Sequence, residues 1–296
     1  MDTTLFKSWC LTLLLTLSAV AVEAQDVVIR RPTKPAITTT TKPSSSTNKP
    51  SSSKPKTKPE PANSIGTVSF ETFTANGVSF KMIRVDGGTF TMGATWKEKV
   101  DPDYINKPKH SVTLSSYFIG ETEVTQALWE TVMGNNPSQF KGSSRPVEMV
   151  SWEDCQIFIE KLNSLTGQHF RLPTEAEWEF AARGGNRSKG YKFSGSNHLS
   201  SVTWGDNEDE THPVKTKIPN ELGIYNMSGN VQEWCQDYYE AYSSEPQTNP
   251  KGPETGKWRI TRGGGWDCTY SYFRVFDRVY REPDFRWSSL GLRLAM

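Results

Sequence analysis

The chain has 296 residues and carries 34 Lys and Arg against 33 Asp and Glu, a formal net charge of +1. Nine of the basic and four of the acidic residues precede Ala62, so the remainder is mildly acidic and lacks the basic footprint that a nucleic-acid partner requires. There is no Gly-x-x-x-x-Gly-Lys phosphate loop and no zinc-protease histidine pair, since His110, His169, His198 and His212 are scattered, which excludes two common kinds of enzyme site.

Lys7, an apolar run from Leu11 to Val22 and the small-residue step Val22-Glu-Ala24 predict a cleavable secretory signal over residues 1–24. That run is too short to span a bilayer, and no other transmembrane candidate follows, so the mature chain is expected to be secreted or otherwise extracytoplasmic, in a periplasm or at a cell surface. Residues 25–63 are expected to form a disordered linker: from Arg31 to Pro61 the chain is Ser, Thr, Pro and Lys with almost no apolar side chain and cannot offset the entropy of ordering. Residues 64–296, with no second linker, are expected to form one domain.

Within that domain, alternation at Val78, Phe80 and Met82 and then at Phe90 and Met92 predicts an opening hairpin around Gly87-Gly88, with Val112 and Leu114 on a further strand. Thr125 predicts the N-cap of a helix carrying Leu128, Trp129, Val132 and Met133 and closed by Gly134. Ser151 precedes a second helix whose apolar face holds Cys155, Phe158, Ile159, Leu162 and Leu165 before Gly167. Thr174 and Glu177 form a capping box for a third helix, with Trp178 and Ala182 on one face and Gly184 as its stop. Trp258 and Ile260, then Phe273, Val275 and Asp277, then Leu290, Leu292 and Leu294 predict C-terminal strands. Ten Trp predict a core in which large rings fill much of the volume, and the class is α+β with much irregular structure.

Four segments occur in order: Arg171-Leu-Pro-Thr-Glu-Ala-Glu-Trp-Glu-Phe-Ala-Ala-Arg183, Asn226-Met-Ser-Gly-Asn-Val-Gln-Glu-Trp234, Arg262-Gly-Gly-Gly-Trp266 and Leu290-Gly-Leu-Arg-Leu-Ala295. Together they resemble the formylglycine-generating-enzyme family, also called the sulfatase-modifying-factor family. The resemblance implies a C-type-lectin-like variant of the α+β class and, in active members, a copper(I) ion held between two thiolates. The first ligand position falls on Cys268 and the second on Phe273, a ring that cannot ligate copper; Gly265 and Gln232 depart from the family pattern as well. The resemblance also implies a calcium loop in which Asn226, Gly229 and Val231 give backbone or amide oxygens and Glu233 its carboxylate; a tight turn without metal is the competing reading.

Three cysteines remain after signal removal. Cys155, on an apolar helix face, is expected to be a buried thiol; Cys235 and Cys268 either pair or stay free, and Cys235 is the remaining thiol that could replace the lost copper ligand. Tyr270, Tyr272, Arg274, Phe276 and Arg278 are expected to form the outward half of an aromatic and arginine-rich strip, a binding surface for protein, peptide or glycan. The function these residues imply is a binding or assembly module at the cell envelope, without two-thiolate copper chemistry. The alternative is an oxidase that converts a cysteine of a target protein to formylglycine, with Cys268 as one essential thiol.

Overall fold

In a computed structural model that describes residues 67–95, 108–206 and 208–296, the chain opens on a hairpin of β1 (Phe70–Ala75) and β2 (Val78–Val85). Its two-residue turn is Asn76-Gly77, with φ of 43° and 90°, the doubly left-handed geometry that matches strand twist and that Asn-Gly adopts readily. The described residues belong to the unit Asn63–Met296; the expected signal segment and the whole of the expected linker lie outside them.

The hairpin expected around Gly87-Gly88 does not form. β2 pairs with β1 and with β5 (Tyr117–Gly120), whereas β3 (Gly88–Met92) pairs with β4 (His110–Leu114) in a second sheet completed by β7 (Gln247–Thr248). The two glycines are there for room: a Cβ on Gly87 would collide with the Leu114–Ser116 backbone, and one on Gly88 with the Asn186 side chain.

The three expected helices form with their expected caps. Thr125 accepts from Leu128 N at the start of α1 (Gln126–Met133), and Gly134 ends it at φ 77°. Ser151 and Asp154 make a reciprocal capping box for α2 (Trp152–Thr166), which buries Cys155, Phe158, Ile159 and Leu162; Leu165, at its end, is exposed instead. Thr174 and Glu177 do the same for α3 (Glu175–Ala182), whose eight residues are all buried, Trp178 and Ala182 among them. One turn, α4 (Leu199–Val202), follows. The third sheet has the order β10 (Leu290–Leu292), β6 (Gln232–Tyr238), β8 (Arg259–Arg262), β9 (Arg278–Arg281), with β10 parallel to β6 and the other pairs antiparallel. Leu294 and Met296 hydrogen-bond to β5 rather than extending this sheet, so the last residues bridge it to the first.

β6 divides the interior. Its successive side chains point to opposite faces, so Trp234 joins a core around α1 and α2, where Trp129 and Phe158 stack at 4.8 Å, while Cys235 joins a core around α3. Beside them Glu233 is fully buried with both oxygens engaged: Arg293 Nη2 donates to Oε1 at 2.7 Å, and Arg293 Nε and Trp178 Nε1 donate to Oε2 at 2.9 and 2.7 Å. The same guanidinium donates to the carbonyls of Gly120 and Tyr225, both at 2.8 Å. A second buried set joins Arg262 to Glu175 and Glu179, and Arg278 to Glu175 at 2.6 Å. These pairs let the glutamates of α3 lie inside.

Asp237, 5 % exposed, accepts from the Glu175 backbone N–H at 2.9 Å. Burial first, and the Glu175 charge second, push its carboxyl up to about 7. Because the folded value is raised, its contribution to stability is complete below the ordinary carboxylate range and is lost as pH rises through about 7. Asp237→Asn keeps an acceptor for that N–H and does not titrate, so Tm scans are expected to fall less for it than for the parent protein between acid and mildly alkaline pH. Removing one partner of a buried ion pair costs far more. Urea unfolding of Arg293→Met is expected to show a loss of about 3–5 kcal/mol, against under about 1 kcal/mol for Arg84→Met at the exposed pair with Asp86.

Candidate functional site

Cys268 follows a loop whose shape is set by close packing. Gly263 and Gly264 have φ of 91° and 70°, and a Cβ on Gly265 would collide with Ser289. Cys268 N donates to Gly265 O at 2.9 Å and Cys268 O accepts from Asp206 N at 3.1 Å, which fixes the thiol beneath the surface, 8 % exposed. Gln232 Nε2 donates to its Sγ at 3.6 Å, and Asp267 Oδ1 lies 3.7 Å from it. Phe273 is fully buried in the same small core, with Phe193 and Val202. Its ring lies against Gly205 and Gly264, where any Cβ would strike it. Gly265, Gln232 and Phe273, the three departures legible in the sequence, thus surround one thiol.

Cys155, Cys235 and Cys268 are all unbridged. Cys235 lies in the α3 core, not in that of Cys268, and burial pushes its thiol well up, as it does that of Cys155. The expectation that Cys235 could replace the missing ligand therefore fails: it sits on the opposite face of β6 from Trp234, packed against aliphatic and aromatic side chains. With one thiol at hand, the residues around Cys268 do not fit a two-thiolate copper(I) ion.

The loop from Asn226 to Glu233 owes its sequence to backbone geometry. Asn226, Gly229 and Asn230 have φ of 61°, 91° and 67°, which Asn tolerates and Gly adopts without cost. A Cβ on Gly229 would also meet Trp204 O. Asn230 Nδ2 donates to Glu123 Oε1 at 3.0 Å, and its Oδ1 accepts from His212 N at 2.8 Å. Val231 is fully buried, and the Asn226 amide is buried without a partner. Glu233 does not fit a calcium ligand in this arrangement: Arg293 and Trp178 occupy both its oxygens, and a cation placed there would lie against a guanidinium.

The aromatic strip is not a strand. Tyr270–Tyr272 form a single 3-10 turn, and an Arg274–Asp277 pair with contacts of 2.6 and 2.9 Å folds the next residues into irregular chain before β9 begins. Alternation therefore fails. Tyr270 and Tyr272 are exposed, as expected, but Arg274, Phe276 and Arg278 are buried and belong to no surface. Sequence reasoning missed Phe285 and Trp287, exposed and stacked at 6.2 Å. Trp287 Nε1 donates to Asp267 Oδ2 at 2.7 Å, and Trp266 meets Phe140 edge-on at 5.3 Å, so these rings flank the Asp267-Cys268 step. Aromatic residues inside the Pro-containing run Pro283-Asp-Phe-Arg-Trp287 were the available signal.

Residues 69–296 match the profile of the sulfatase-modifying factor enzyme 1-like domain. The chain belongs to the sulfatase-modifying-factor family. Among relatives, a protein named chaperone protein LppX from Paenibacillus barcinonensis is 36 % identical over 268 residues, covering 70 % of this chain and 88 % of that one. A formylglycine-generating enzyme of Streptomyces coelicolor is 30 % identical over 283 residues, covering 72 % and 88 %. The solved structure of Treponema denticola variable protein 1 superposes with a TM-score of 0.70 at 34 % identity, covering 77 % of this chain and 99 % of that one. The sulfatase-modifying-factor fold, a C-type-lectin-like one, is thus shared, while the second copper-ligand position is the buried ring of Phe273 and Cys268 is a buried thiol beside Gln232. Native alkylation followed by peptide mapping is expected to label Cys268 first and Cys155 and Cys235 only after unfolding, because buried thiols held protonated react slowly; equal labelling of all three would refute this placement.

Proposed function

We propose that this sulfatase-modifying-factor domain is an exported binding or assembly module whose partner, a protein, peptide or glycan, meets the rings around Asp267 and Cys268. The observation that carries the reading is the buried Phe273 ring packed in the core of Cys268. A hydrocarbon side chain there supports loss of the second thiolate. Beside it, Tyr270, Tyr272, Phe285 and Trp287 are each between 37 % and 39 % exposed, and such rings are what interfaces use for affinity. The names of two relatives, a chaperone and a variable protein, agree with a role in recognition. The signal-like segment supports export, and among the described residues no helix is long and apolar enough to cross a membrane.

A second reading, an oxidase forming formylglycine, is favoured by the relatives that bear that name and by the retained thiol of Cys268. One experiment separates the two. The purified protein is incubated with a Cys-x-Pro-x-Arg peptide, copper(I), a thiol reductant and oxygen, and the peptide mass is followed. The expected result is no aldehyde and no copper retained by the protein. Aldehyde formation that Cys268→Ser abolishes would establish the oxidase and overturn the proposal.

A further inference from the structure

β8 and β9 place Arg259 and Arg281 directly opposite one another. Residues paired in this way leave the same face of a sheet with their Cβ atoms about 5 Å apart, and two like charges there repel. Among the described residues neither guanidinium has an acidic partner, because the carboxylates at hand are engaged elsewhere. Asp154 is paired with Arg286 at 2.7 Å and Glu282 with Lys257 at 3.2 Å. Asp237, whose charge also reaches Arg259, is turned towards α3 and accepts from Glu175 N.

Arg259 is held rigidly. Its Cζ lies 3.7 Å from the centre of the Trp152 ring and 3.3 Å from that of Tyr238, and its Nη1 donates to Gln236 O at 2.6 Å. Trp152 is fixed in turn, since its Nε1 donates to Cys235 O at 3.0 Å and its backbone N to Pro283 O at 2.9 Å. What remains to Arg259 is Nη2, which has no partner among the described residues and, unlike Nε, is not enclosed. Half-buried Arg281 donates from Nη1 to Tyr280 O at 3.2 Å and lies 5.5 Å from the centre of the Phe285 ring, so its Nε and Nη2 are also without a partner.

A planar guanidinium is weakly hydrated and its donors match the oxygens of a carboxylate or phosphate. Two of them side by side bring two positive charges to one place. A carboxylate or a sulfate ester carries one negative charge and offsets half of that; a phosphate monoester carries close to two above its second pKa of about 6.

We infer that Arg259 Nη2 and the free edge of Arg281 bind a phosphate monoester group, with Trp152 and Tyr238 holding Arg259 in position. The site adjoins Phe285, but its donors lie on β8 and β9, outside the core of Cys268. It therefore stands or falls apart from the partner surface proposed above.

Phenyl phosphate, titrated into the full-length protein at pH 8 and low ionic strength and followed by calorimetry, tests this. Phenyl sulfate serves as the singly charged tetrahedral analogue and benzoate as the carboxylate. Saturable one-site binding of phenyl phosphate is expected, roughly tenfold or more tighter than that of either analogue and weakened by added salt. Arg281→Gln is expected to weaken it by roughly tenfold or more, and Arg84→Gln, at an arginine already paired with Asp86, to leave it unchanged. Arg259→Lys keeps a charge but loses the stacked plane, and is expected to weaken binding as well; Arg281→Gln decides the matter if that variant does not fold. Failure of phenyl phosphate to saturate, equal binding of phenyl sulfate, or unchanged binding in folded Arg281→Gln would each overturn the inference.

Discussion

The ion pair between Glu233 and Arg293 is the constraint on which this domain is built. One carboxylate and one guanidinium, both fully buried, collect the central strand β6, the indole of Trp178 from α3, the end of β5 through Gly120, and the loop through Tyr225. Taking two charges out of water is expensive, and their mutual attraction offsets that cost only where every remaining donor and acceptor is satisfied. Here the guanidinium has four acceptors in reach, counting both Glu233 oxygens and the two carbonyls. The Arg262 set adds a second buried tie, joining Glu175 and Glu179 of α3 to the third sheet. With three sheets of only three or four strands each, polar ties of this kind do much of the work that extended strand ladders do elsewhere.

Against that fixed frame, the surroundings of Cys268 show how one site can change while its scaffold stays. Gln232 is held by Thr261 through its carbonyl and turns its amide towards the thiol. Phe273 fills the rest of the space and anchors a loop whose neighbours point their rings outward. The exposed rings rise from irregular chain on a rigid support, a combination that suits recognition because loops tolerate change that strands do not.

Helices were legible wherever a cap stated them: Thr125, Ser151 and Thr174 each mark a start, and Gly134 and Gly167 each mark a stop. The family was legible from four segments, and with it the fold. What escaped was decided at long range. Asn76-Gly77 carried a strong turn signal, yet the glycine pair at 87 and 88 drew the hairpin to itself, although those residues are glycines only because other chain segments pass close by. The strip from Tyr270 to Arg278 read as alternating, but a local Arg274–Asp277 pair curls it. Glu175 and Glu179 of α3 lie inside because of Arg262 and Arg278, partners too distant in sequence for any local pattern to show. The same ignorance applied to Glu233, whose part in a metal loop looked natural only while Arg293 was unplaced.

The reach of Arg293 has a further consequence for how the chain acquires its structure. It must find the carbonyl of Gly120, 173 residues earlier, and the carboxylate of Glu233, 60 residues earlier. Until it has been synthesised, Glu233 has no counter-charge and cannot enter the interior. A growing polypeptide therefore cannot settle domain-fashion from its N-terminal side; assembly waits for the last tenth of the sequence and then proceeds through contacts of high sequence separation, which form slowly.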